Sequence, residues 1–308
     1  MQPIFDAIYS GLNESSVDAK RLFHGRGHCY DGLEFINVDL LPPVVFITLY
    51  NEIDLAQLKV LVDFTARHQQ VEGVLVQHRY KKGAPSEVFY GNVPDSLDIV
   101  EAGLIYQICP GQKLNSGFFL DMSEGRQWVR LNSRNTKVLN LFAYTCGFSV
   151  AAMAGGAAQV VNLDMSRGAL ERGRENHRLN NQDMSRVRFL PYELFRSWGR
   201  LKKMGPFERI IIDPPSFQKG SFVASKDYQR VLKRLPELLS SPAQVLLCLN
   251  DPATGPEFLI DLMKEHCPDA RYFKRLSNPE TFPERYDDRG LKVLVFNYQK
   301  SEVSADQP

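Results

Sequence analysis

Cysteine is scarce in this chain of 308 residues. The five present, Cys29, Cys109, Cys146, Cys248 and Cys267, are scattered, odd in number and nowhere paired as C-x-x-C. That argues against a disulfide framework and a structural zinc site, so no bound metal is expected and a reducing cytoplasm is the natural location. Long apolar runs are also missing. None approaches the ~20 residues that a membrane helix needs, so no membrane partner is expected. The first residues, MQPIFDAIYSGLNESS, lack the basic patch and apolar stretch of a secretory signal. Charge of one sign is not in excess overall, at a net +1, but it is unevenly spread. Residues 1–110 hold 8 Lys and Arg against 14 Asp and Glu, whereas residues 111–308 hold 29 against 22. Only the second part has a cationic surplus to offer a polyanion.

What is present divides in two. Residues 1–115 read as a small α+β domain, a candidate for substrate recognition. It has a β run at Val44–Tyr50 and a helix over 55–68 with apolar residues at Leu55, Leu58, Leu61, Val62 and Phe64. Further short β runs follow, divided by Gly, Pro, Asn and Asp, and residues 79–87 read as a basic hairpin tip. From 116 to 300 strands and helices alternate. KVLNLFA, QVVNLD, VRFL, RIIID and AQVLLCLN are apolar strand runs, and Ser166 is a good N-cap for the helix after the second. Such alternation predicts an α/β fold with a mostly parallel sheet covered on both faces. ARYFKRL and KVLVFNY follow each other without a helix, which predicts an antiparallel edge pair. The polar tail 301–308, SEVSADQP, is expected to be disordered.

In an open parallel sheet, ligands bind beyond the carboxyl ends of the strands. The first strand runs into NLFAYTCGFS, Asn140–Ser149, where a dinucleotide site would need G-x-G-x-x-G; only Gly147 lies in the turn. This weighs against NAD, FAD and phosphate-loop ligands and suits a ligand lying over the backbone without a phosphate. The second strand ends at Asp164, a carboxylate able to accept both hydroxyls of a ribose. Its alternative role is to cap the next helix, for which Ser166 is already available. After the third strand, Glu193 in Pro191-Tyr192-Glu193-Leu194-Phe195 either accepts from an adenine amino group or stabilises a helix N-terminus. The fourth strand ends in Asp213-Pro214-Pro215-Ser216-Phe217. The prolines fix φ and remove two backbone donors, leaving carboxylate and carbonyls to face a substrate.

NLFAYTCGFSVAAMAGGAAQVVNLDMSRGALERGRENHRLNN followed by IIIDPPSF resembles the class I S-adenosylmethionine-dependent methyltransferases. Within them it resembles the bacterial 23S ribosomal RNA base methyltransferases, which act on cytosine carbon 5 or guanine nitrogen 7. A further signature of that group, Gly-aromatic-aromatic-Leu-Asp with arginines after it, is matched by Gly117-Phe118-Phe119-Leu120-Asp121 and Arg126. The resemblance covers roughly residues 45–300 and implies a Rossmann-like sheet, S-adenosylmethionine as cofactor and ribosomal RNA as partner. It implies cofactor contacts from Phe119, Asn140, Phe142, Ala143, Tyr144, Thr145 and Gly147, and from Asp164, Met165, Glu193, Leu194 and Asp213. Asp213 and Pro214 are the implied catalytic pair; Arg126, Phe217 and Asn250 are the implied substrate contacts.

Three departures shape the chemistry. In that group an RNA-binding barrel usually precedes this core, and from its length and patterning this chain is expected not to hold one. Ser123 replaces the first arginine expected after Leu-Asp. Asn250 stands at the position of the catalytic cysteine of cytosine-5 enzymes, with Cys248 two residues upstream. Carbon 5 of cytosine needs a thiolate added at carbon 6, whereas a nitrogen acceptor already owns a lone pair. For a nitrogen, alignment and a proton acceptor suffice, a task for Asp213 and the Pro214 carbonyl. Between Arg126 and Lys203, 14 Lys and Arg face 5 Asp and Glu, a local surplus suited to RNA. The reading is an RNA base methyltransferase. Its alternatives are methylation of a protein or small-molecule nitrogen, and a non-catalytic RNA-binding module on the same fold.

Overall fold

Ile4, Ile8 and Leu12 recur every four residues and are all buried along helix α1 (Gln2–Leu12). The computed structural model describes residues 1–301 apart from 113, 216 and 219–221, and gives only the backbone of 217, 218 and 222–225. The expected tail, beyond 301, lies outside the described residues. The chain forms two compact units: Met1–Ser123 with Asn278–Asp287, and Glu124–Ser277 with the remainder from Asp288.

In the first unit, α1 and helix α2 (Leu55–Ala66) flank a sheet of β1 (Lys20–His24), β2 (Ile36–Leu41), β3 (Val44–Leu49), β4 (Gly73–His78) and β5 (Ser86–Gly91). The strands lie in sequence order, and only β3 and β4, joined through α2, are parallel. Asp54 caps α2 by accepting from the amides of Ala56 and Gln57. Ile36, Val38, Val45, Ile47, Val74 and Val76 form one core with both helices. The register pairs Arg21 with Asp39, whose carboxylate accepts from the Arg21 guanidinium at 2.5 Å. Residues 79–85 form the expected tip between β4 and β5, and β6 (Leu97–Glu101) and β7 (Leu104–Ile108) make a separate hairpin. Segment 278–287 completes this unit: the Phe282 ring lies 4.5 Å from the Arg21 guanidinium, and Glu284 is 3.3 Å from His24.

The second unit begins with α3 (Ser123–Asn132) and then alternates β8 (Lys137–Leu141), α4 (Gly147–Ala154), β9 (Gln159–Leu163), α5 (Arg167–Leu179), β10 (Val187–Leu190), α6 (Leu194–Met204) and β11 (Phe207–Ile212). A two-residue hairpin, β12 (Phe217–Gln218) with β13 (Phe222–Val223), precedes α7 (Ala224–Leu232). Pro236 falls after α7, in a 3-10 turn at Leu235–Glu237. Then come β14 (Leu239–Leu249), α8 (Glu257–His266), β15 (Ala270–Leu276) and β16 (Lys292–Tyr298). The sheet runs β10-β9-β8-β11-β14-β16-β15. Its first five strands are parallel and the last two form the expected antiparallel edge pair. This is a Rossmann-like α/β fold. Alternate residues such as Leu139, Val161, Ile210 and Leu247 pack against α6, α7 and α8. No helix is long and apolar enough to cross a membrane among the described residues.

Candidate active site

The parallel register aligns the strand ends. Leu190, Leu163, Leu141, Ile212 and Leu247 pair in one row across β10, β9, β8, β11 and β14. The residues just beyond are therefore neighbours: Pro191, Asp164, Phe142, Asp213 and Cys248. The chain goes one way from β8 to β9 and crosses to the other side with β11, so the switch point of the sheet lies beside Phe142 and Asp213.

The loop after β8 has an unusual backbone. Phe142, Tyr144 and Cys146 take φ of 59°, 47° and 64°, three non-glycine residues in the left-handed region within five positions. Such conformations cost roughly 1–3 kcal/mol each and persist only when their surroundings hold them. Here three anchors do so. The Asp164 carboxylate accepts from the Tyr144 amide at 2.8 Å, and its other oxygen accepts from the Ser166 amide at 2.8 Å. Asn176 on α5 donates to the Thr145 carbonyl at 2.9 Å. Gly173, one turn earlier, lets α5 approach closely: a Cβ there would lie 2.4 Å from the Cys146 sulfur. Burial holds the Cys146 thiol protonated, its pKa well above the ordinary value, so it packs and does not react.

Beneath the loop runs a buried hydrogen-bond chain. Asn140 donates to Asn162 (3.0 Å), Asn162 to Ser149 (2.9 Å), Ser149 to Nε2 of His177 (2.8 Å) and His177 Nδ1 to Gln182 (2.5 Å). Gln182 closes it on the Val150 carbonyl at 2.9 Å. Burial lowers the His177 pKa to about 4, so the ring is neutral, with its proton on Nδ1 facing the Gln182 oxygen. Asn140 thus has its amide turned to the neighbouring strand.

The remaining candidates fall into place unevenly. Ser166 caps α5, as the sequence predicts. Glu193 caps α6, one oxygen accepting from Phe195 and the other from Arg196, which is the helix-terminus role weighed above. Leu194 is buried, Met165 is 42% exposed and Asn250 is exposed at the end of β14. Asp213 is half-buried with Pro214 buried behind it. Arg126 is only 5% exposed in α3, so it is no open-surface cation. Phe119, 40% exposed, belongs to the first unit, where its neighbour Phe118 packs on Tyr106 at 4.5 Å. The Phe217 side chain and all of Ser216 lie outside the described residues. Cys248 is buried opposite Val293, and its carbonyl accepts from the Tyr228 hydroxyl.

Two features escape the sequence reading. Tyr228 on α7 also lies 3.5 Å from the Ile212 carbonyl, so one buried phenol ties the ends of β11 and β14. Lys292, fully buried, donates to the carbonyls of Asp251 (2.5 Å) and Asp288 (3.1 Å), fixing the loop after Asn250. Hydrogen bonds from Ala253 and Thr254 hold the Asp251 carboxyl below the usual range in that loop. A lysine opening an apolar strand was the available signal for the second; a tyrosine on an amphipathic helix gave none for the first.

The family described as S-adenosylmethionine-dependent methyltransferase matches residues 20–297. The chain belongs to that family. Ribosomal RNA large subunit methyltransferase I of Aeromonas salmonicida is 30% identical over 223 residues, covering 67% of this chain and 56% of that protein. The chain thus spans little more than half the length of that relative. A solved structure of a candidate methyltransferase complexed with SAH superposes with a TM-score of 0.84 at 24% identity, over 96% of this chain and 79% of the other. The tRNA m1G37 methyltransferase of M. jannaschii gives 0.59 at 17% identity, over 85% and 71%. These two likenesses are of fold. The family is that of S-adenosylmethionine-dependent methyltransferases, and the residues present fit that cofactor. Each Asp164 oxygen uses one lone pair on a backbone amide and keeps another for a ribose hydroxyl. The strained loop needs no phosphate cradle, in keeping with a cofactor that has no phosphate.

Proposed function

We propose that this enzyme methylates a base of ribosomal RNA, within the large-subunit (23S) molecule, at a nitrogen. The observation that carries the reading is the row of strand ends: Asp213-Pro214 stands one strand from the Asp164-anchored loop, while the two thiols at these strand ends, Cys146 and Cys248, are 0% and 1% exposed. The name of the A. salmonicida relative supports the RNA, and the cationic surplus between residues 126 and 203 suits a polyanion.

When bound, S-adenosylmethionine supplies an electrophilic methyl group. Asp164 would hold its ribose hydroxyls, and the backbone of Phe142–Gly147 would support the rest of the cofactor. Asp213 accepts a hydrogen bond from the base, or its proton where the acceptor nitrogen carries one, and the Pro214 carbonyl helps orient the ring. Asn250, exposed at the next strand end, has both a donor and an acceptor for a base edge. Lys292 keeps the Asn250 loop in place from below. No thiolate is required.

The test is mass spectrometry of nucleosides from 23S ribosomal RNA of cells with and without the protein. Loss of one N-methylated nucleoside, restored by the purified enzyme, is expected. Loss of a carbon-methylated nucleoside would overturn the nitrogen chemistry. Unchanged ribosomal RNA would overturn the substrate.

A further inference from the structure

We propose that the outward seam between α6 and α7 is a second RNA-binding surface, gripping the phosphate backbone away from the methylated base. The proposal rests on the RNA reading above. Helix α6, LFRSWGRLKKM, carries four cations and no acid, and residues 224–234 carry four cations and one acid. The two helices lie side by side in parallel: Arg230 sits 3.7 Å over the Phe195 ring, Arg234 4.5 Å over Trp198, and Lys202 is 3.6 Å from Glu237. Successive rungs of the seam therefore carry half-exposed arginines laid on aromatic rings and held there by acids, Arg230 by Asp227 at 2.6 Å and Arg234 by Glu237 at 2.9 Å, so the cations left open to a ligand are those of α6.

Along the open side of α6, Arg196, Arg200 and Lys203 follow at helical spacing and are all exposed, a stripe roughly 10 Å long at 1.5 Å per residue. Arg200 stacks 4.3 Å over Tyr192, itself 41% exposed, and hydrogen-bonds its hydroxyl, which pulls the phenol pKa down. Among the described residues, the side chains of Arg196 and Lys203 make no ion pair. Those two differ from the α5 arginines Arg174 and Arg178, each paired with a glutamate on its own helix at 3.3 Å, and from Arg230 and Arg234, paired with Asp227 and Glu237. The stripe begins at Tyr192, in the loop beyond β10, and so starts at the row of strand ends and leads away from it.

Charge complementarity selects a polyanion, and the residue types favour RNA over an acidic protein. Arginine forks match phosphate oxygens in pairs, and an arginine-backed tyrosine presents a face on which an unpaired base stacks.

The experiment compares the full chain with its Arg196→Ala/Arg200→Ala/Lys203→Ala variant, by fluorescence anisotropy on a short fluorescein-labelled single-stranded RNA across a salt series. Three lost phosphate contacts should lower the slope of log K against log salt by about two, with affinity down at least tenfold at low salt. S-adenosylmethionine affinity by calorimetry should be unchanged. Equal slopes in wild type and variant would overturn the surface and leave the RNA reading standing; a wild type that binds no RNA would overturn both. Tighter binding of polyglutamate than of RNA would also overturn the surface. If the triple variant loses the cofactor as well, the milder Arg196→Gln/Lys203→Gln variant, which keeps Arg200 on Tyr192, decides: a lowered slope supports the surface and a wild-type slope overturns it.

Discussion

A Cβ on Gly173 would stand 2.4 Å from the sulfur of Cys146, so the helix behind the cofactor loop is as close as its backbone allows. Alanine would gain up to ~1 kcal/mol of helix propensity but must displace the loop, at a cost of about 1–3 kcal/mol. Gly173→Ala is expected to weaken S-adenosylmethionine binding several-fold in calorimetry. Adding Cys146→Gly removes the sulfur and suits the positive φ of 64° at that position, so the double variant should regain affinity. A double variant no better than the single one would show that the loop is not positioned through this contact.

Asp164 holds the Tyr144 amide, and the proposed function gives it a second duty, receiving the ribose. Asp164→Ala removes charge-assisted bonds worth ~1.5–3 kcal/mol each, so cofactor affinity should fall at least tenfold while the protein stays folded by circular dichroism. Unchanged affinity would remove the ribose role.

Cys248 is predicted to be dispensable. Cys248→Ala should cost about 1 kcal/mol of stability as a small core truncation and retain most methyl transfer. A folded, cofactor-binding variant without activity, or a covalent adduct at Cys248 with 5-fluorocytosine RNA, would reinstate the thiolate mechanism.

Asp213 should act after the cofactor is bound. Asp213→Ala is expected to keep S-adenosylmethionine affinity and to slow transfer by ~10²–10⁴-fold, the usual loss with a general base. Asp213→Asn keeps an acceptor but no basic oxygen, so near-normal rates there would mean orientation and not proton transfer. Near-normal rates in Asp213→Ala would exclude the residue from catalysis.

His177 makes the core pH-sensitive. Its folded pKa of about 4 lies below the ordinary 6.5, so the unfolded chain binds the extra proton between those values. Stability from this residue is complete above pH 6.5 and is lost as pH falls toward 4, by up to about 3 kcal/mol. His177→Gln has no such proton. The stability gap between wild type and variant, measured by urea unfolding, should narrow between pH 6.5 and 4. A constant gap would mean that the histidine does not titrate with folding.

The α/β core was legible because its strands are apolar runs ending in polar punctuation, and Asp164 and Asp213 stand at those ends. The first unit was legible only in part, through β3, α2 and the tip at 79–85. In α1 the spacing of Ile4, Ile8 and Leu12 was there to be read, but Pro3 and the short span obscured it. Strand β2 hides its period by burying both faces, Asn37 and Asp39 on the polar side included. Helix α3 is polar overall, and its buried face contains Gly125 and Arg126. Within the site, the Glu193 cap shows only in the structure, where each oxygen accepts from one amide and, as at Asp164, keeps a lone pair. Gly173 did leave a trace, since glycine inside a helix is costly without a packing reason. The left-handed residues of the loop left none, because Phe, Tyr and Cys do not advertise positive φ.

Segment 278–287 sets the order of assembly during synthesis. The chain leaves the second unit after β15, supplies Phe282 and Glu284 to the first, and returns for β16. On the ribosome, the first unit is made early yet must wait 164 residues past Ser123 for its last piece. At ~5–20 residues per second, that is roughly 10–30 s in which Arg21 and His24 lack the side chains that finally cover them. The N-terminal unit is therefore translated first and completed almost last.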